Sequence, residues 1–154
     1  MTLERTLLAK LADWRFPSGR QSLEAGDGNV KFTATADCAD EVGCRLWEAT
    51  LNRPAPAEPL EDRARRLVSR ATGLLEPLRL LEIDPERKVA LLRSDRPADR
   101  DDRLTYYEVE LGGDGSARVR RFQVSRQGGE KRQQIHFTLT HKALAKLAGD
   151  LAAC

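Results

Sequence analysis

Arginine is the residue type with the most obvious chemistry in this sequence, because it accounts for 20 of the 26 basic residues. Six basic residues lie within residues 116–132, where Glu130 is the single acid. Guanidinium groups on neighbouring strands can bind several phosphates or carboxylates at once. The anion-binding candidates are Arg118, Arg120, Arg121, Arg126 and Arg132.

Two features of this stretch argue against nucleic-acid binding. Arg118 and Arg120 share one face of a predicted strand, whereas Arg121 points to the other face, which divides the patch. Phe122 is the only aromatic residue in the stretch, so it offers no pair of rings on which bases could stack. We therefore favour a solvated face or a protein interface and expect no nucleic-acid partner.

A second group of side chains could line a ligand pocket between the sheet and the helices: Trp47, Tyr106, Tyr107 and His136. Such a pocket would suit a small-molecule binder or an enzyme. His136 and His141 are the two histidines of the chain, so a histidine-dependent reaction must use one of them. His136 lies between two apolar residues of a predicted strand, which favours a solvated sheet face or a helix-packing edge over catalysis.

Motifs for nucleotide, metal and nucleophile chemistry are missing from the sequence. The glycine-rich segment 112–115 lacks the G-x-G-x-x-G spacing and leads into a strand, which is typical of a hairpin turn. Cys38 and Cys44 flank acidic residues without a nearby histidine, which favours unbound thiols over a zinc site. No G-x-S-x-G elbow occurs. We therefore predict no catalytic set, no metal site and no cofactor.

Composition sets the broad class of the protein. A length of 154 residues suffices for one hydrophobic core, so we expect a single domain over residues 1–154. The formal net charge of +2 gives no general attraction to nucleic acid or acidic membranes. Because the first residues are charged and the sequence has no long apolar run, we expect neither export nor membrane insertion. Three cysteines without a C-x-x-C pair fit a reducing cytoplasm.

Three amphipathic helices are predicted from apolar residues at helical spacing. The first covers residues 3–14, with Thr2 as its N-cap. The second follows a proline-rich segment and covers residues 60–75. The third lies at the end of the chain, and Thr140 can cap it.

Alternating apolar residues predict a series of strands joined by short turns. In two of the later strands the apolar phase slips, at Tyr106 and Tyr107 and again between Val119 and Phe122, which indicates bulges or burial on both faces. The predicted strands are residues 30–36, 44–52, 78–83, 89–94, 104–111, 117–124 and 135–139, with residues 20–24 as a further candidate and residues 37–43 as a wide acidic turn.

The resulting order of elements is α-β-β-(β)-α-β-β-β-β-β-α. Because the strands follow one another without intervening helices, this order predicts an α+β fold. We expect an antiparallel sheet of about six to eight strands with three helices packed on one face. A parallel nucleotide-binding sheet would require strands and helices to alternate, which they do not.

This order of elements resembles that of type III secretion chaperones and their relatives. The resemblance implies a cytoplasmic homodimer without enzymatic activity that holds partly unfolded client proteins on apolar patches. The hairpin at residues 104–124 and the slightly basic composition differ from that family. The corresponding pieces are the helix at residues 3–14, the strands between residues 30 and 51, the helix at residues 60–75, the hairpin at residues 78–94 and the final helix at residues 144–151.

Three functional hypotheses follow. The first is a non-enzymatic, protein-binding or chaperone-like domain that dimerises through the second helix or a sheet edge. This hypothesis is based on the lack of a catalytic set and on apolar helix faces that could form an interface. The alternative is a small-ligand binder or enzyme that uses the pocket described above. A further alternative is polyanion binding by the basic strands at residues 118–132.

Overall fold

A computed structural model of the chain describes residues 2–70, 74, 76–94, 98–100, 103–125, 127 and 131–154, with backbone only for residues 98–100. Three helices and ten strands lie within these ranges. In chain order they are α1 (Leu3–Ala12), β1 (Gln21–Asp27), β2 (Val30–Ala39), β3 (Gly43–Asn52), α2 (Leu60–Arg70), β4 (Leu78–Asp84), β5 (Val89–Ser94), β6 (Ala98–Arg100), β7 (Arg103–Gly112), β8 (Ala117–Ser125), β9 (Gln133–Ile135), β10 (Phe137–Thr140) and α3 (His141–Ala152).

The first and last helices begin where the sequence predicts. The hydroxyl of Thr2 accepts a hydrogen bond from the backbone N–H of Arg5 at 3.3 Å. The hydroxyl of Thr140 accepts one from the N–H of Ala143 at 3.1 Å. Each bond satisfies a helix donor that lacks an intrahelical partner, and both predicted caps are confirmed. The predicted extension of α2 to residue 75 falls at residues 71–73 and 75, outside the described residues.

All the described strand pairs are antiparallel, and the predicted α+β class and element order are confirmed. The main path through the sheet is β1-β2-β3-β8-β7-β5-β4. The candidate strand at residues 20–24 is present as β1. The described part of the chain has more strands than the six to eight expected, partly because β6 and β9 have only three residues each, too few for a sequence period to emerge.

β9 and β10 lie in a fork of this sheet, which is the region in which β3 and β8 no longer pair with each other. Residues 49–51 of β3 pair with residues 117–119 of β8, and beyond this point the two strands take different partners. β10 pairs with residues 43–46 of β3, and β9 pairs with residues 121–123 of β8. The single strand predicted at residues 135–139 is therefore divided at His136 between two partners.

One face of the sheet is covered by the helices, and a single hydrophobic core joins them. Leu7, Leu11, Leu67, Leu144 and Leu147 are buried against inward-facing strand residues. Because strand side chains alternate between faces, the intervening residues form a second face that no described helix covers. We call this second face the open face. The core contributions of the strands include Phe32, Ala34, Leu46, Ala49, Leu51, Ala90, Leu92, Val109, Leu111, Val119, Phe137 and Leu139.

The β2–β3 pair contains two adjacent irregularities. Ala36 pairs with Leu46, but the flanking partners are displaced, so Asp37 and Trp47 have no residue directly opposite. Bulges of this kind change the direction in which a side chain points. The prediction that Asp37 belongs to a wide turn is wrong, because β2 continues to Ala39.

That turn is short because Asp40 stabilises it. The Asp40 carboxylate accepts hydrogen bonds from the backbone N–H groups of Val42 and Gly43, at 2.8 and 2.9 Å. An aspartate that bonds to the backbone two or three residues later favours a tight turn. β2 and β3 can therefore extend until only a few residues of sequence separate them.

The β7–β8 pair has a continuous register from Arg103–Ser125 to Leu111–Ala117. No bulge therefore accounts for the slipped apolar phase at Tyr106 and Tyr107. Both tyrosines are buried, on opposite faces of the sheet. Burial on both faces, one of the two expected explanations, is confirmed.

A buried arginine attaches the end of α3 to the rest of the protein. The Arg63 guanidinium donates to the carbonyl oxygens of Cys154 and Gly112, each at 3.1 Å. Arg53 donates to the carbonyl of Ala152 at 2.6 Å. Burial lowers the pKa of Arg63, as expected for a cation removed from water.

None of the described helices has the length and apolar character needed to cross a membrane.

Candidate functional site

Four arginine–aromatic stacks distinguish the open face. Each places a guanidinium carbon within 5.0 Å of a ring centroid, close enough for a cation–π interaction. We call the group the arginine–aromatic face. The stacks are Arg20 over Trp47, Arg93 over Tyr106, Arg120 over Phe122 and Arg132 over Phe122.

Two of the aromatic rings form the centre of this face. Tyr106 and Phe122 are directly opposite each other on β7 and β8, and their ring centroids are 6.0 Å apart. Both rings are nearly buried although none of the described helices covers them. Arg93, Arg120 and Arg132 lie over the two rings, so the guanidinium groups shield apolar surface while they remain partly exposed.

A buried carboxylate holds these arginines in place. Glu108 is 2% exposed, and its oxygens contact Arg132, Arg93 at 3.4 Å and Arg120 at 3.9 Å. The hydrogen bond that Arg132 donates to Glu108 raises the pKa of Arg132, whereas burial lowers the pKa of Arg120. A carboxylate as buried as Glu108 needs cationic partners, because burial of an unpaired charge is unfavourable in free energy.

Those arginines predicted to bind anions that the structure describes are already paired with carboxylates. On the open face Arg118 donates to Glu110 at 2.6 Å, and Arg120 and Arg132 pair with Glu108. Arg126 lies outside the described residues. The local charge count along residues 116–132 missed this pairing, because the acids belong to the neighbouring strand β7.

Arg121 points to the helix-covered face, as strand alternation requires. Its guanidinium lies 4.3 Å from the ring centroid of Tyr107. It also donates to Glu76 at 3.0 Å and to the hydroxyl of Thr105 at 2.8 Å. Arg121 is therefore separated by the sheet from the other described candidates.

The four side chains predicted to line one pocket are not gathered in one place. Trp47 and His136 contact each other on the open face, with ring centroids 5.0 Å apart. Tyr106 belongs to the centre of the arginine–aromatic face. Tyr107 lies on the helix side, where it packs edge-on against Phe137. No common pocket is formed by these four described residues.

His136 belongs instead to a polar group around Asp37, which we call the Asp37 cluster: Arg20, Asp37, Trp47 and His136. Asp37 and Trp47 lie beside His136 at the fork. These are the two residues without a direct partner in the β2–β3 pair. Arg20 donates to Asp37 at 2.9 Å, and His136 Nε2 contacts the other carboxylate oxygen. The hydrogen bond from Arg20, followed by that from His136, lowers the pKa of Asp37.

The chemistry available to the Asp37 cluster is limited. An Asp–His pair can support proton transfer. Within the described residues, however, His136 makes no hydrogen bond to a hydroxyl or thiol that it could activate. The cluster is better suited to recognition, because it presents a cation, an indole ring and an ionised carboxylate side by side.

A groove lies at the other end of the open face, across β5, β7 and β8. It has a volume of about 510 Å³. Its apolar lining comes from Leu91, Leu104, Tyr106 and Val124. Arg79, Arg93 and Arg132 also line it, so an apolar floor is combined with cationic walls.

Metal binding gains no support from the described residues, which contain no group of three or more histidine, cysteine or carboxylate side chains able to hold an ion. Cys38, Cys44 and Cys154 are free thiols. Burial raises the pKa of Cys44 to about 11, so this thiol is poorly suited to act as a thiolate ligand or nucleophile.

Comparison with protein-family models, with curated proteins and with solved structures found no match to this chain.

Proposed function

We propose that this protein is a non-enzymatic binding module that holds a protein partner against the open face of its sheet. The observation that supports this function is the arginine–aromatic face, with its four stacks on a surface that no helix in the described part of the chain covers. Arginine, tryptophan and tyrosine are the residues that most often dominate binding energy at protein interfaces.

The same contacts hold the binding groups in position before a partner arrives. Glu108 fixes Arg93 and Arg132, and Asp37 fixes Arg20. Side chains that are already ordered lose less conformational entropy on association. Asp37, Glu108 and Glu110 neutralise part of the positive charge of this face, which favours a protein with mixed apolar and polar character over a uniform polyanion.

The proposal keeps the homodimeric, cytoplasmic and client-binding form that the likeness to type III secretion chaperones implies. In that form the open face of each subunit would bind a segment of a client protein. Light scattering at high protein concentration tests the dimer separately from the binding function.

Selection from a display library of random 12-residue peptides tests the binding function. The selected peptides are then measured against Trp47→Thr and Phe122→Thr, which remove one ring from the Asp37 cluster and one from the centre of the arginine–aromatic face. Leu8→Gln is the control, because Leu8 is an exposed apolar residue on α1. We expect peptides that bind the parent and the control equally and bind both face variants at least ten-fold more weakly.

Circular dichroism establishes that each variant is folded. Should either face variant unfold, Arg20→Gln replaces it, since the Arg20 side chain is 47% exposed and its loss leaves the core intact. A selection that yields no binding peptide would overturn the proposal. So would peptides whose affinity changes less than three-fold in the folded face variants.

A further inference from the structure

The turn between β2 and β3 carries an exposed apolar side chain on a fixed backbone. Val42 is 64% exposed, the largest fraction for a large apolar residue in the described part of the chain. Its N–H group donates to the Asp40 carboxylate at 2.8 Å, and its carbonyl accepts from the N–H of His141 at 3.0 Å. A group that is already ordered loses less conformational entropy when it enters an interface. Val42 is therefore a rigid apolar projection.

Two adjacent apolar grooves lie beside this projection. The first groove has a volume of about 460 Å³, and Val42 and Arg45 contribute to its lining. The second has a volume of about 500 Å³, and Arg15 and Glu41 contribute to its lining. The residues that line both grooves are Phe16, Pro17, Ala39 and Asp40.

The boundary between the grooves is also fixed before any partner binds. Phe16 and Ala39 exchange two backbone hydrogen bonds of 3.0 Å each. A rigid projection next to a rigid depression on the same surface is the arrangement that a symmetric dimer needs, because each copy then presents both halves of the contact.

The charged residues around the grooves have both signs. Arg15, Glu41 and Arg45 are all exposed. The side chains of Glu41 and Arg45 make no ion pair or hydrogen bond within the part of the chain that the structure describes. A surface of one sign would repel a second copy of itself, whereas a surface with both signs can pair its cations with the acids of the copy.

We infer that two copies of this chain form a dimer through these grooves, about a twofold axis that runs along the residues shared by both. The first groove of each copy then faces the second groove of the other. Val42 of each copy enters the second groove of the other, and Arg45 of each copy faces Glu41 of the other. This inference rests on the dimeric form in the proposed function, and it assigns the interface to a surface other than the second helix or a sheet edge.

The size of the surface limits the strength of this dimer. A standard interface has about 20–30 residues on each side. The two grooves together have fewer lining residues than this. We therefore expect a weak dimer that dissociates on dilution.

Sedimentation equilibrium over a range of protein concentrations tests the inference. We expect a monomer–dimer equilibrium, and at least a ten-fold increase in the dissociation constant of the dimer with Val42→Gln. Leu8→Gln is the control, because Leu8 is another exposed apolar residue, and it should change the constant less than two-fold. A protein that stays monomeric at its highest soluble concentration would overturn the inference. So would equal effects of the two substitutions.

Two charge reversals test the arrangement of the copies. Glu41→Arg places like charges at both ionic contacts of the dimer, and Arg45→Glu does the same, so each variant alone should dimerise at least ten-fold more weakly. In a heterodimer of the two variants both contacts again join opposite charges. A mixture of the variants should therefore form heterodimers with nearly the affinity of the unsubstituted protein.

Glu86→Arg is the matched control, because it makes the same change in charge at an exposed position in the turn between β4 and β5. It should alter the dissociation constant less than two-fold. Since the heterodimer can form only from folded chains, its appearance also shows that both reversal variants fold. Two weakened variants that do not associate with each other would overturn the inference.

The same variants identify another occupant of the grooves. If the protein is monomeric and Val42→Gln weakens the library-selected peptides, the grooves bind a client segment and the inference is wrong. If the dimer depends on Val42 but no peptide is selected, the interface stands and the binding function fails. If peptides depend on Trp47 while the dimer is unaffected by Val42→Gln, the binding function stands and the interface assignment fails.

Discussion

Replacement of Glu108 by glutamine is the sharpest perturbation of the arginine–aromatic face. The substitution keeps the shape of the side chain and removes its charge, so three arginines lose their shared counter-ion. Glu110 provides a matched control, because it lies two residues away on the same strand and face. It also pairs with two arginines, but its side chain is 33% exposed.

The expected magnitudes differ because the two carboxylates differ in burial. Removal of one partner from a buried ion pair costs about 3–5 kcal/mol. An exposed ion pair contributes about 0–1 kcal/mol. We therefore expect Glu108→Gln to lower the free energy of unfolding by about 3 kcal/mol and Glu110→Gln by less than about 1 kcal/mol.

Urea unfolding monitored by circular dichroism measures both values. For a chain of this length, a loss of about 3 kcal/mol corresponds to a decrease in Tm of about 6–12 °C. Heparin affinity provides a second readout, since Glu108→Gln releases arginines and should increase retention at low salt. Equal stability losses in the two variants would refute the argument that Glu108 organises the face. Strong retention of the unsubstituted protein on heparin would instead favour polyanion binding.

Three further predictions concern other parts of the molecule. Arg63→Leu should reduce the free energy of unfolding by about 1–3 kcal/mol, because the Gly112 carbonyl loses its Arg63 donor and the Cys154 carbonyl keeps only the one from Arg53; Arg65→Ala, on the exposed side of α2, should cost less than about 1 kcal/mol in the same denaturation experiment. The lowered pKa of Asp37 stabilises the fold above the unfolded pKa of about 3.9. The stability difference between the unsubstituted protein and Asp37→Asn should therefore be present above the unfolded pKa and shrink as the pH falls through the folded pKa; a difference that does not change in this acidic range would contradict this. Iodoacetamide labelling at pH 8, followed by mass spectrometry, should modify half-buried Cys38 well before Cys44, and equal rates would contradict the burial of Cys44.

The element order could be predicted because the local signals are strong. The predicted caps at Thr2 and Thr140, and the turn at residues 112–115, depend on neighbours in sequence. The fork was not predictable in the same way. Residues 135–139 show one apolar period, and nothing in that period indicates that the strand changes partner at His136.

The candidate site was harder to predict because its contacts cross strands. Glu108 and Arg132 are 24 residues apart in sequence, and Asp37 and His136 are 99 apart. A count of charges along one strand therefore indicates a basic patch where the sheet forms a paired network. One available signal was the Glu-x-Glu stretch at residues 108–110 together with the Arg-x-Arg stretch at residues 118–120. The register of the hairpin places Glu108 opposite Arg120 and Glu110 opposite Arg118.

Stability alone does not explain why this face buries charge. Apolar residues of similar volume in place of a buried ion pair are often neutral or stabilising, and β7 and β8 already have an apolar pair at Tyr106 and Phe122 around which such residues could pack. A larger apolar surface without a covering helix, however, would promote non-specific association. Arginines laid over aromatic rings shield the rings, and in the proposed function a protein partner would displace or bridge the guanidinium groups. The buried Glu108 then fixes the positions of the guanidinium groups, which favours specific recognition over general adhesion.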